Sequence, residues 1–216
     1  MFKKAFSLAE VLIVLAIIGT VATLTIPNLV GQYDDEQTVV KLKQFKGDLD
    51  LALQKSILKY GTFDYWYTGN LTNDDKKDAV ERVMEFLAVV SDDVTFPDVT
   101  YANDSFYKYE LKNGLILAVK FGAFGSCSGQ ACNYMQFIVA TDGQNGNTYG
   151  ESIFGFDVNV YEPSVKPFGF NTDVGTNNAL NITSMLDGTN WAIHQGNLDY
   201  LKCKSSLNWQ NKTSCD

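Results

Sequence analysis

Few residues in this chain are of types that do chemistry. His194 is the single histidine, so a histidine base serving a nucleophile has one candidate position, and no Gly-x-Ser-x-Gly elbow accompanies it. Alone, His194 could make a pH-sensitive contact, but packing or solvation is the commoner fate of an isolated histidine. The sequence contains neither a Walker A loop nor a dinucleotide-binding glycine fingerprint. Acidic side chains number 25, and no spacing among them singles out a glycosidase-like carboxylate pair. The expectation is a protein that is not an enzyme.

The four cysteines fall in two local pairs, Cys127 with Cys132 and Cys203 with Cys215. Three connectivities are open to four cysteines, and proximity along the chain favours these two. Zinc is the weaker reading, because neither pair has ligand spacing and His194 is not placed to complete a set. Oxygen ligands for a hard cation occur at Asp142, Asn145, Asn147 and Asp157, where calcium is the conceivable cofactor. Their spacing is not that of an EF-hand, and an Asn/Gly-rich turn forms without metal. No bound cofactor is expected.

The remaining chemical oddity is Glu10. From Phe6 to Ile26 it is the only charge in 21 residues, a run that would span about 30 Å as a helix, the thickness of a bilayer core. Lys3 and Lys4 precede it, as expected for a cytoplasmic end. A carboxylate in such a helix calls for a partner. A cleavable secretory signal does not fit, since the apolar run is too long and no Ala-x-Ala site follows. A plain signal anchor explains the length but not the acid.

The stretch Lys3-Lys4-Ala5-Phe6-Ser7-Leu8-Ala9-Glu10-Val11-Leu12-Ile13-Val14-Leu15-Ala16-Ile17-Ile18-Gly19 resembles the processing signal of type IV pilins and type II secretion pseudopilins. The resemblance implies cleavage between Ala5 and Phe6 by a prepilin peptidase, which then methylates the Phe6 amine. It further implies that Glu10 meets the Phe6 amine of a neighbouring subunit during assembly, supplying the partner that the acid lacks. Gly19 and Pro27 fall where that family's helix carries a glycine and a proline. The departure is Ala5, where the family usually has glycine. The implied partners are the peptidase, other pilin or pseudopilin subunits and an inner-membrane assembly platform. The implied place is the bacterial inner membrane, amino end in the cytoplasm and head outside, and then a filament.

Composition agrees with a membrane helix plus one ordinary domain. The net charge of −8 becomes −10 once Lys3 and Lys4 leave with the leader, which argues against nucleic acid as an electrostatic partner. The organisation expected is a leader over 1–5, a transmembrane or filament-core helix over 6–30, and over 31–216 the continuing amphipathic helix and globular head. The fold class expected is α+β, pilin-like, with a small antiparallel sheet packed on the long helix.

Periodicity supports that layout. Leu42, Phe45, Leu49, Ala52, Leu53, Ile57 and Tyr60 recur at three- and four-residue steps, so one helix is expected over Phe6–Tyr60, loosened at Pro27 and Gly31 and capped by Gly61. Phe63, Tyr65, Trp66 and Tyr67 are expected to pack beside it. Thr72 starts a second helix whose inward stripe is Ala79, Val80, Val83, Met84, Leu87 and Val90, ending near Ser91. Three strands follow, over Phe106–Leu111, Leu115–Phe121 and Tyr134–Ala140, with Asn113-Gly114 as a hairpin turn. The Asp142–Gly150 turn and the aromatic strand after it, Ile153–Val158, resemble a recurrent pilin segment. Residues 162–190 read as irregular, with a short helix over Asn181–Leu186, and Trp191–Cys203 as a last strand and turn. A C-terminal disulfide loop at Cys203–Cys215 is also what the family resemblance implies. A signal-anchored binding protein that does not polymerise is the alternative function.

Overall fold

The computed structural model describes residues 7–62, 66, 72–97, 106–123, 133–159, 164–168 and 188–215. The chain divides into two compact units, Met1–Gln37 and Thr38–Asp216.

One helix, α1 (Leu8–Tyr60), accounts for every described residue of the first unit beyond Ser7 and continues into the second. The softening expected at Pro27 and Gly31 does not interrupt it. In the first unit its apolar side chains, Leu12, Ile13, Leu15, Ile17, Ile18 and Val21 among them, are exposed. The helix is long and apolar enough to cross a membrane. At its far end Gly61 adopts φ +84°, and its N–H donates to the Ile57 carbonyl at 2.9 Å. This left-handed conformation suits glycine and terminates the helix.

The second unit is an α+β domain. Its six-stranded antiparallel sheet runs β1 (Val89–Ser91), β2 (Tyr107–Leu111), β3 (Ile116–Ala123), β4 (Asn133–Ala140), β5 (Ile153–Asn159), β6 (Val165–Pro167), in chain order. Every neighbour in the sheet is thus a neighbour in sequence, which keeps the connections short. Gly114 (φ +82°) turns the β2–β3 hairpin, with its N–H on the Leu111 carbonyl at 2.9 Å.

Alternation along the strands makes two faces. Leu117, Val119, Met135, Phe137, Val139, Phe154, Phe156 and Val158 join Leu42, Phe45, Leu49, Ala52 and Leu53 of α1 in the main core. Phe45 is its centre, with its ring 5.5 Å from Phe156 and 6.4 Å from Phe137. Burying a side chain of this kind contributes about 1.5–3 kcal/mol. On the opposite face Ile116, Ala118, Ile138, Ala140 and Ile153 form a smaller cluster with Phe96 and Phe106.

Three expectations are corrected. The second helix, α2 (Asn73–Met84), stops well before Ser91. Val89 and Val90 instead belong to β1, and Val90 is 65% exposed rather than inward. Two β-branched residues beside a free edge of β2 gain more from strand pairing than from prolonging a helix. The sheet has six strands: besides the four expected between Phe106 and Val158 it holds β1, and the stretch expected to be irregular holds β6, which pairs Val165 with Val158. Trp191–Cys203 is not a strand. It forms α3 (Gly188–Gln195) and α4 (Tyr200–Cys203), with Trp191 and Ala192 buried. The helix over Asn181–Leu186 lies outside the described residues.

Candidate functional site

Glu10 lies in the first turn of α1. The Ser7 N–H donates to Glu10 Oε2 at 2.8 Å, and the Ser7 hydroxyl donates to the same oxygen at 2.9 Å. In return the Glu10 N–H donates to Ser7 Oγ at 3.3 Å. This reciprocal pattern is a capping box, which satisfies two of the amide donors that every helix start leaves open. Glu10 therefore already has a partner within its own chain. The sequence signal of the box is Ser-x-x-Glu ahead of an apolar run. Ala5 and Phe6 lie outside the described residues.

Where α1 meets the head, polar ties accompany the apolar core. The Lys41 ammonium donates to the Thr141 carbonyl at the end of β4 at 3.1 Å. Asp50 accepts the Val165 N–H of the edge strand β6 at 3.1 Å and holds Lys46 at 2.8 Å. At the end of α1, Glu85 accepts from the Tyr60 hydroxyl at 2.6 Å and pairs with Lys59 at 2.5 Å. The hydrogen bond from Lys59 holds the Glu85 carboxyl below its ordinary range and raises Lys59 in turn. Trp66 packs as expected: its ring N–H donates to the Gly61 carbonyl at 2.8 Å, and the ring stands edge-on to Tyr60. Phe63, Tyr65 and Tyr67 lie outside the described residues. α2 opens on a second capping box, in which Thr72 and Asp75 satisfy each other's backbone N–H groups and the Thr72 hydroxyl lowers the Asp75 pKa.

The four oxygen residues do not converge. Asp142, Asn145 and Asn147 belong to the turn between β4 and β5, whose bonds are internal: Asn145 N–H to the Asp142 carbonyl, Thr148 N–H to Ser152 Oγ, and the Thr148 hydroxyl to Asn147 Oδ1. Asp157 pairs with Gln136 on the sheet, more than about 10 Å along the strands from that turn. Among the described residues no group of three or more His, Cys, Asp or Glu is placed to hold a metal. Asp157 instead sits in a cross-strand row, Lys120, Gln136, Asp157, Lys166, on the face away from α1. Burial pushes its carboxyl up to about 6 against the opposing Gln136 amide, which donates to it at 3.2 Å.

At the C-terminus Cys203 and Cys215 form a disulfide across a separation of 12. It closes a loop whose Trp209 ring lies 4.9 Å from that of Trp191. Asn197 accepts the Trp191 ring N–H at 2.8 Å and donates to the Thr213 carbonyl at 2.9 Å, while Asp199 accepts the Cys215 N–H at 2.8 Å. Cys127 and Cys132 lie outside the described residues. His194 is exposed at the end of α3.

No family model, no curated protein and no solved structure matches this chain. What it does must be argued from its own residues.

Proposed function

We propose that the chain is a subunit of a type IV filament system, a pilin or pseudopilin. In this reading it is made as an inner-membrane precursor, cut between Ala5 and Phe6 by a prepilin peptidase and methylated on Phe6. It then assembles through α1 with other subunits on an inner-membrane platform, with its head outside the membrane, and serves protein secretion or a surface role. It performs no catalysis and needs no metal. The observation that carries the proposal is the run from Lys3 to Gly19, with its acid at Glu10. It leads into one helix whose start carries no charge but Glu10 up to Ile26 and is exposed, and whose end packs an α+β head. An exposed apolar helix of this length needs lipid or other helices around it, and a filament core supplies both in turn.

The Ser7–Glu10 capping box favours a second reading, a signal-anchored binding protein that does not polymerise. There Glu10 is only a helix cap, and the acid needs no neighbour. One pair of variants separates the two. If Glu10 docks on a neighbour's Phe6 amine, Glu10→Ala abolishes filaments while membrane insertion persists. Ser7→Ala, which costs the cap about 1 kcal/mol, leaves filament yield close to wild type. Equal, mild effects of the two variants on all readouts would favour the anchor.

A further inference from the structure

Between α2 and the outer edge of the sheet runs a groove of about 330 Å³. Glu81 and Met84 of α2 form one wall, Val89 and Val90 of β1 with Asp92 just after it the other, and Tyr109 of β2 the floor. β1 is the first strand of the sheet, with no described strand outside it. It takes two steps from Val89 to Ser91 where β2 takes one from Leu111 to Glu110, so Val90 is the extra residue of a bulge. Bulges re-aim side chains, and Val90 is turned outward, 65% exposed, as an apolar rim.

The floor holds a polar group with nothing to bind. Tyr107 and Tyr109 stand two residues apart on β2 and so share a face. The Tyr107 hydroxyl donates to the Asn73 carbonyl, at the start of α2, at 3.0 Å. The Tyr109 hydroxyl has no hydrogen-bond partner among the described residues, although the residue is only 6% exposed. A buried tyrosine hydroxyl ordinarily finds one. Burial pushes this hydroxyl up, and the carboxylates of Glu81 and Asp92 push it further, so their charges reach the same point. Glu85, also beside the groove, is already held by Lys59 and Tyr60. Glu81 meets Lys77 at 3.5 Å in an exposed pair of a kind that contributes little. Asp92 has no ion pair among the described residues.

Two carboxylates on facing walls and a hydroxyl oxygen between them offer three acceptors to whatever enters. A guanidinium has five N–H donors in one plane and an apolar stem that suits Met84 and Val89, whereas an ammonium has three donors on a single centre. The open edge of β1 beside the groove favours an extended chain. We propose that this groove docks an arginine side chain carried on an extended segment of another protein, with the residue next to that arginine resting on Val90. A second copy cannot supply it. Arg82 is the only arginine in the chain, and it is held by Asp78 at 2.7 Å and packed over the rings of Tyr60 and Trp66. The groove lies wholly within the head, so the proposal holds for a filament subunit and for an anchored protein alike.

The test is fluorescence anisotropy of a labelled peptide, Thr-Val-Arg-Val-Thr, with the detergent-solubilised full chain. Citrulline in place of arginine keeps the shape, removes the charge and should weaken binding by about tenfold or more; lysine should weaken it by about threefold. Tyr109→Phe should weaken the arginine peptide by roughly fivefold and leave head unfolding unchanged, because the free protein loses no bond. Glu81→Gln and Asp92→Asn should each cost roughly fivefold in affinity. Glu151→Gln, the same loss of charge in the turn between β4 and β5, should change nothing, which separates a site from the general attraction of an acidic head. No saturable binding, equal affinity for the arginine and citrulline peptides, or indifference to Tyr109→Phe would overturn the site. So would a Glu151→Gln effect as large as that of Glu81→Gln. Equal affinity for the lysine peptide would overturn the choice of arginine, and with it the exclusion of a second copy.

Discussion

The two halves of α1 are built on one helix geometry and opposite solvation. From Leu8 to Gln37 apolar side chains point in all directions and are exposed. From Thr38 to Tyr60 they sort into a buried stripe, with Leu42, Phe45, Leu49, Ala52 and Leu53 at 0% exposure. The first half shows no preferred side, a pattern that suits apolar surroundings. The second half has one because a sheet covers it. The same residue types are thus exposed in one half and organise the head in the other.

The sharpest way to break this comparison is truncation in each half. Phe45→Ala removes a ring packed on Phe137 and Phe156 and should destabilise the head by about 3–5 kcal/mol. Leu15→Ala, at an exposed position, should leave head unfolding within about 0.5 kcal/mol of wild type. Denaturant melts of the detergent-solubilised chain, followed by tryptophan fluorescence, measure both. Comparable losses would mean that the first half also packs on the head.

A smaller effect probes the sheet face away from α1. Asp157 titrates near 6 in the fold because burial disfavours its charge, against about 3.9 unfolded. The folded state therefore binds the extra proton between those values. The group's favourable contribution is complete below about pH 4 and is lost as pH rises through 6. Asp157→Asn should raise stability at pH 7 by on the order of 1–2 kcal/mol, after screening, and the gain should vanish near pH 4. A gain that does not depend on pH would point to packing rather than ionisation.

Legibility in the sequence followed the strength of local physics. The buried stripe of α1 was readable because seven apolar positions repeat at a helical period over about five turns. The Asn113-Gly114 turn was readable because the chemistry of the turn demands those residues. Val90 misled because it continues the α2 stripe by spacing, while the strand that pairs with β1, β2, lies some twenty residues away. Trp191-Ala192-Ile193 is too short a run to distinguish strand from helix. Its helical state is settled by contacts beyond the run, the Trp191 ring on Asn197 and the Gly155 N–H on the Thr189 hydroxyl at 3.0 Å. The Ser7–Glu10 capping box has a local signal, Ser-x-x-Glu ahead of an apolar run, because cap and partner lie three residues apart. Lys41 and Asp50 carry no local signal of a tertiary role, and only the folded head brings Thr141 and Val165 to them.

The N-terminus of the mature protein tests the central claim most directly. Intact-mass and N-terminal peptide spectrometry on chain isolated from its native membrane should find it starting at Phe6, with one methyl group on the amine. A chain that still begins at Met1, with Ala5 and Phe6 joined, would contradict the account.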